Sequence, residues 1–227
     1  MSRTFCIPGI FFLFAALVLN ILVSVSLPAL PALDIARTKY AAGSVSATGV
    51  QGDISEIRFG IWAYCVYENG DRTCVNPGHG YAVEVSSGTN SDEQIGTAWT
   101  RGLAVHPVAA AVTLIAFACA FSTHITLMLL ASILSFLAAL LTLIAFAIDI
   151  ALFVFVHNKM NNLDNVRVKT DTGAGFWMTL AAFILLLLAG CTVCFGRRRE
   201  RMASATTAYP EKPGVFGRVF RRKQATV

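Results

Sequence analysis

Charge is scarce in this sequence. Only 14% of its 227 residues are Asp, Glu, Lys or Arg, where a soluble domain carries about a quarter. It also lacks a phosphate-binding glycine loop, a pair of carboxylates spaced for acid–base work and a Ser-His-Asp set, so enzyme activity and a cofactor find no support in it. Histidine is limited to four residues, too few and too scattered for a metal centre at ligand spacing.

What fills the space is hydrophobic: 56% of the chain. Four segments are nearly free of charge, at 5–27, 103–121, 125–156 and 175–195. Each reaches the roughly 17 to 25 residues a helix needs to cross a bilayer core. The first run, at 23 residues, exceeds the roughly 7 to 15 of a signal-peptide core and is followed by no small-x-small cleavage site, so a retained span is expected.

The charges that do occur are unevenly placed. Residues 196–227 hold nine Lys/Arg against two Glu, and residues 28–102 hold five against eight acids. The positive-inside rule then puts the tail in the cytoplasm. Four spans place a short N-terminus (1–4), a turn (122–124) and the tail (196–227) inside, with loops 28–102 and 157–174 outside. Basic residues so near a span read as topology signals and contacts to anionic lipid, not as a nucleic-acid site. In the tail, Val215, Phe216, Val219 and Phe220 are placed to dip into the interface of a partly disordered segment.

The long loop has three parts. "ALDIARTKYAAGSVSATGVQGD" is rich in small residues and reads as a loosely ordered approach. "SSGTNSDEQIGTAW" at its end reads as turn-like. Between them, "RFGIWAYCVYENGDRTC" carries β-branched and aromatic residues around Asn69-Gly70, a strong type I′ hairpin signal. With that turn Glu68 faces Asp71, Tyr67 faces Arg72, Val66 faces Thr73 and Cys65 faces Cys74. The cysteines then fall on a non-hydrogen-bonded pair with Cα atoms about 4.5 Å apart, close enough for a disulfide, in a loop that faces an oxidising medium. Zinc and catalysis are the weaker alternatives, since His79 is the only nearby ligand or base.

The same residues resemble a known family. Gly60-Ile61-Trp62-Ala63-Tyr64-Cys65 followed by Cys74 is similar to the claudin-type signature of a first external loop. With "GY" at Gly80-Tyr81, "LAVHPVAAAVTLIAF" opening the second span and "LLTLIAFAIDIALF" in the third, the chain resembles the fungal PalI family over roughly residues 5 to 195. The resemblance implies a claudin-like membrane protein: an all-α four-helix transmembrane bundle with a small extracellular β-sheet or hairpin. It implies a plasma-membrane accessory to an ambient-pH sensor, acting on another integral membrane protein. Trp62, Tyr64 and Tyr81 are expected to pack the external domain on the span ends. A structural alternative is self-assembly into membrane domains or contact with cell-wall material, and a third is a pore or transporter. No small-molecule substrate is indicated.

Three further features bear on chemistry. Asp149 lies inside the third span, where an acid is costly and is a functional candidate by default; interhelical hydrogen bonding, proton handling and partner contact are its possible uses. His106-Pro107 begins the second span and is expected to be a helix-start histidine at the interface. Cys191 and Cys194 end the fourth span beside "GRRRE", a setting for S-acylation or plain packing. Ala109, Ala110, Ala111, Ala138 and Ala139 are expected at close helix contacts.

Overall fold

The computed structural model describes residues 6–207 apart from 43, 44, 49, 51–53, 69, 76, 77, 79, 88–90, 123, 164 and 165. Its elements are α1 (Cys6–Ala29), β1 (Ala36–Ala42), β2 (Val45–Ala47), β3 (Glu56–Phe59), β4 (Tyr64–Glu68), β5 (Asp71–Val75), β6 (Val83–Ser87), β7 (Ser91–Ile95) and α2 (Thr97–Arg101). A 3₁₀ turn (Gly102–Ala104), α3 (Val105–Ala120), α4 (Ile125–Asn161), β8 (Arg167–Thr172) and α5 (Ala174–Thr207) complete the order.

Four helices are long and apolar enough to cross a membrane: Pro8–Ala29, Thr97–Ala120, Thr126–Asn161 and Ala174–Thr192. They close a ring in which α1 touches α3 and α5, and α4 touches α3 and α5. Their common core is made of small residues, Ala16, Ala116, Ala138, Ala139 and Ala189, with Leu13 and Leu186. Small side chains let helix backbones approach closely, which matters in lipid because the tails are as apolar as leucine. Of the alanines singled out, Ala109, Ala110, Ala138 and Ala139 are buried as expected; Ala111 is exposed.

At one end of the bundle lie two antiparallel sheets, β5-β4-β3-β1-β8 and β2-β6-β7. A second hydrophobic cluster joins them to the helices, with Ile57, Phe59, Tyr64, Val83, Val85 and Ile95 packed against Leu152, Val156 and Met160 of α4. At about 1.5 Å per residue the 37 residues of α4 run about 55 Å, well beyond a bilayer core of about 30 Å. The excess is the pillar on which the sheets rest.

The hairpin has the register the turn dictates, from Glu68↔Asp71 to Cys65↔Cys74. Gly70 supplies the positive φ of 95°; Asn69 lies outside the described residues.

Elsewhere the sheets correct the sequence reading. "ARTKY" is not a loose approach but an interior strand, β1, paired with both β3 and β8. Its Ala36, Thr38 and Tyr40 are buried while Lys39 is exposed, a period of two hidden by small residues. The stretch ending "TNSDEQIGTAW" is not turn-like either, since β7 pairs with β6 and α2 follows. The second loop, expected at 157–174, begins later because α4 runs to Asn161, and it carries β8. The helical path of the second span starts at Thr97 rather than Leu103. The tail is helical in backbone from Gly196 to Thr207; Val215, Phe216, Val219 and Phe220 lie outside the described residues.

Candidate functional site

Gly60, Trp62, Tyr64 and Tyr81 meet at one place, the joint between the sheet and the membrane helices. The sequence explains why the joint forms there. α1 is broken at Ser26 and Leu27, whose backbone angles are not helical, just before Pro28. Proline has no N–H, so the carbonyl of Ser24 loses the donor four residues on. The indole of Trp62 replaces it, donating from Nε1 at 2.7 Å. Next to it Ile61 N donates to Ser26 Oγ at 3.2 Å. The tight turn that presents both residues is closed by Gly60 N to Ala63 O at 3.0 Å.

Gly60 has a packing reason to be glycine. A Cβ there would stand 2.5 Å from Leu27 Cβ, and that atom is fixed to the backbone. Gly80 has another, a φ of +74° with the stem of Arg101 against it. From Gly80 the chain enters Tyr81, whose hydroxyl donates to Gly60 O at 2.7 Å. Thr100 of α2 donates in turn to Tyr81 O at 2.7 Å. The motif thus links α1, the β3–β4 turn and the start of the second span in one line of hydrogen bonds. Tyr64, with its ring 5.7 Å from that of Tyr81, donates to Thr48 O.

Burial pushes the phenols of Tyr40 and Tyr81 well above their ordinary range. Both stay neutral in the folded chain while the unfolded chain ionises near pH 10. Above that pH the unfolded state binds fewer protons, so stability is complete below about pH 10 and falls as pH rises. Thermal unfolding of the purified protein is expected to show this alkaline slope, and Tyr81→Phe to reduce it to the part that Tyr40 contributes.

Cys65 and Cys74 form a disulfide with Cα atoms 4.0 Å apart. Cys65 is fully buried in β4, whereas β5 offers the core little besides Val75. The bridge therefore fastens a strand that burial alone holds weakly.

Asp149 and Cys191 lie away from this joint. Asp149, fully buried, meets the likewise buried His106 across α3 and α4, with Oδ1 3.1 Å from His106 Nε2. His106 therefore stands in the first turn of α3 but is buried inside the bundle and not exposed at an interface. Sequence reasoning also missed other buried polar side chains of the bundle. Asn20 of α1 donates to Thr113 of α3 at 3.3 Å, and Thr179 of α5 lies beside Asp149 with its hydroxyl donating to Gly175 O at 3.0 Å. The signal was present in Asn20, the one amide of an otherwise apolar first span.

Cys191 is exposed on α5, toward the end remote from the sheets. The side chain of Cys194, like His79, lies outside the described residues. No group of three or more His, Cys, Asp or Glu that could hold a metal ion occurs among the described residues.

A second buried acid escaped the sequence reading. Asp34 is held by Arg37 through two bonds of 2.9 Å, and Arg37 also reaches Glu56 at 3.2 Å. The Asp34 bond raises the guanidinium pKa further above its ordinary value. The Asp34 carbonyl accepts from Gly175 N at 2.9 Å, and a Cβ on Gly173 would collide with that same carbonyl.

Comparison with known proteins agrees with this architecture. Residues 5–189 match the SUR7/PalI family. The chain is 31% identical over 163 residues to a pH-response regulator protein palI/RIM9 of Yarrowia lipolytica, covering 68% of this chain and 20% of that protein. It is 29% identical over 159 residues to the protein of the same name from Pyricularia oryzae, covering 65% and 20%. The chain thus spans about a fifth of the length of these curated relatives. The match runs through all four apolar helices and the stapled sheet between the first two, and on that ground the chain belongs to the SUR7/PalI family of multi-pass, claudin-like membrane proteins.

Proposed function

We propose that this protein is a non-enzymatic accessory of the fungal plasma membrane in ambient-pH signalling, which acts by lateral contact with another integral membrane protein. The observation that carries the reading is the hydrogen-bonded joint, because it fixes the sheets rigidly on the spans. A body docked in this way offers a partner one continuous surface from bilayer to sheet. The names of the two fungal relatives supply the pathway.

In this reading the sheets face the exterior and both termini the cytoplasm. The charge asymmetry supports that orientation, as does a disulfide on the sheet side. Trp99 and Trp177 are exposed at the sheet-side ends of their spans, where an aromatic belt is expected. Acylation of Cys191 and Cys194 would add an anchor at the cytoplasmic face.

Deletion of the gene in its fungal host is expected to lower the surface abundance of a multi-span partner and to impair growth at alkaline pH. Normal alkaline growth with unchanged partner levels would overturn the proposal. A defined hetero-complex on native electrophoresis supports it, and large homo-oligomers would favour self-assembly instead.

A further inference from the structure

The candidate spans hold few ionisable side chains besides thiols: Arg101, His106, Asp149, His157 and Lys159. Arg101 is exposed. His157 is exposed and bonded to Asn161 at 3.1 Å, and Lys159 reaches Glu93 of β7 at 2.8 Å. His106 and Asp149 alone among them are buried, and they face each other across the α3–α4 contact.

Their depth can be counted from the ring pair Trp99–Phe155, stacked with centroids 4.2 Å apart. His106 lies seven residues beyond Trp99, and Asp149 six before Phe155. At about 1.5 Å per residue both sit about 10 Å inside that level. With that ring pair taken as the edge of a bilayer core of about 30 Å, they lie a third of the way in from the sheet side.

The surroundings are polar but neutral. Thr179 of α5 stands beside Asp149, and about two helical turns deeper lie Asn20 of α1, Thr113 of α3 and Thr142 of α4, all four buried. None can offset a charge. With one shared proton the pair is neutral overall, whether written as imidazole and carboxylic acid or as imidazolium and carboxylate. Release of that proton leaves a single negative charge in the core, and Asp149 Oδ2 has no hydrogen-bond partner to receive it. Such a charge, unpaired inside a membrane, is strongly unfavourable.

We infer that His106 and Asp149 form a proton-binding site in exchange with the medium on the sheet side, and that loss of their shared proton to water or hydroxide loosens α3 from α4. The site deepens the pH-response reading and rests on it for its biological meaning. The element that has two states is the α3–α4 packing, and the charge of the pair biases it.

The test uses the full chain purified into lipid nanodiscs, with thermal unfolding followed from about pH 5 to about pH 9, below the tyrosine range. The wild-type midpoint is expected to fall by about 4 °C or more as pH rises, a shift that corresponds to one or two kcal/mol in a chain of this size. Asp149→Asn is expected to abolish that fall. The double variant His106→Gln with Asp149→Asn, whose two amides can bond to each other, is expected to be equally flat and serves if the single variant does not fold. A flat wild-type profile, or a fall with rising pH that survives in either variant, would overturn the inference. A slope in the purified protein together with normal alkaline growth of the deletion strain would retain the proton site and remove the proposed function.

Discussion

Removing the disulfide, as in Cys65→Ala with Cys74→Ala, is expected to release β5 from the sheet. The bridge closes a loop with a sequence separation of nine residues, worth about 2 to 3 kcal/mol on the chain-entropy account. The consequence is concentrated in one strand. β5 is an edge strand whose Asp71, Arg72 and Thr73 are exposed, so little apolar burial opposes its departure. Directly opposed Glu68 and Asp71 repel each other and weaken the turn further. Hydrogen exchange is the direct measurement: amides 71–75 should lose protection by roughly 30- to 150-fold, since about 1.4 kcal/mol is tenfold, while β1 and β8 keep theirs. Reductant should reproduce the loss in the native chain and change nothing in the double variant. Unaltered protection in β5 would mean that the strand is held by its backbone ladder alone.

A larger effect is expected from Arg37→Ala. Asp34 has a side chain with no exposure at all, and both its oxygens are bonded by Arg37. Removing the partner of a buried ion pair costs about 3 to 5 kcal/mol, because the remaining charge is left uncompensated. The lower part of that range applies, since the Arg37 side chain is 26% exposed and water can enter where it stood. Damage should spread, because the backbone of Asp34 and Ile35 binds Gly173 and Gly175 and so holds the β8–α5 corner against the start of β1. Thermal unfolding checks the size, and the double variant Asp34→Asn with Arg37→Ala checks the cause. If the buried charge is what destabilises, the double variant recovers most of the loss. If it does not, Arg37 acts through Glu56 and packing instead.

The two expectations differ in how visible they were beforehand. The Cys65–Cys74 pairing could be counted outward from Asn69-Gly70, because a two-residue turn fixes the register of both strands. The burial of the Asp34–Arg37 pair, three residues apart, could not. It needs the corner at Gly173 to bring a distant part of the chain onto Asp34, and the acid stood in a stretch whose small residues concealed a strand. For the same reason β8 was hidden: "RVKTDT" has little apolar content, and its place is set by the neighbouring β1, not by its own burial.

The membrane core divides in a similar way. Asp149 stood out as an acid in an apolar run. His106 looked like an ordinary helix-start residue, because nothing in the linear chain shows which way one helix is rotated toward another. Trp62 was legible as a packing residue, but its target was not, since the free carbonyl of Ser24 exists only because α1 breaks before Pro28.

The sequence alone determined the four apolar spans, the charge asymmetry along the chain and the register of the cysteine hairpin. These are local quantities, set by hydrophobic length, charge counts and one turn. Only the tertiary structure decided that β1 is an interior strand of a five-stranded sheet, that Trp62 and Tyr81 lock that sheet to α1 and α2, and that His106 meets Asp149 inside the bundle. Those contacts join residues far apart in the chain, and their geometry follows from how the helices and sheets pack, which no single stretch encodes.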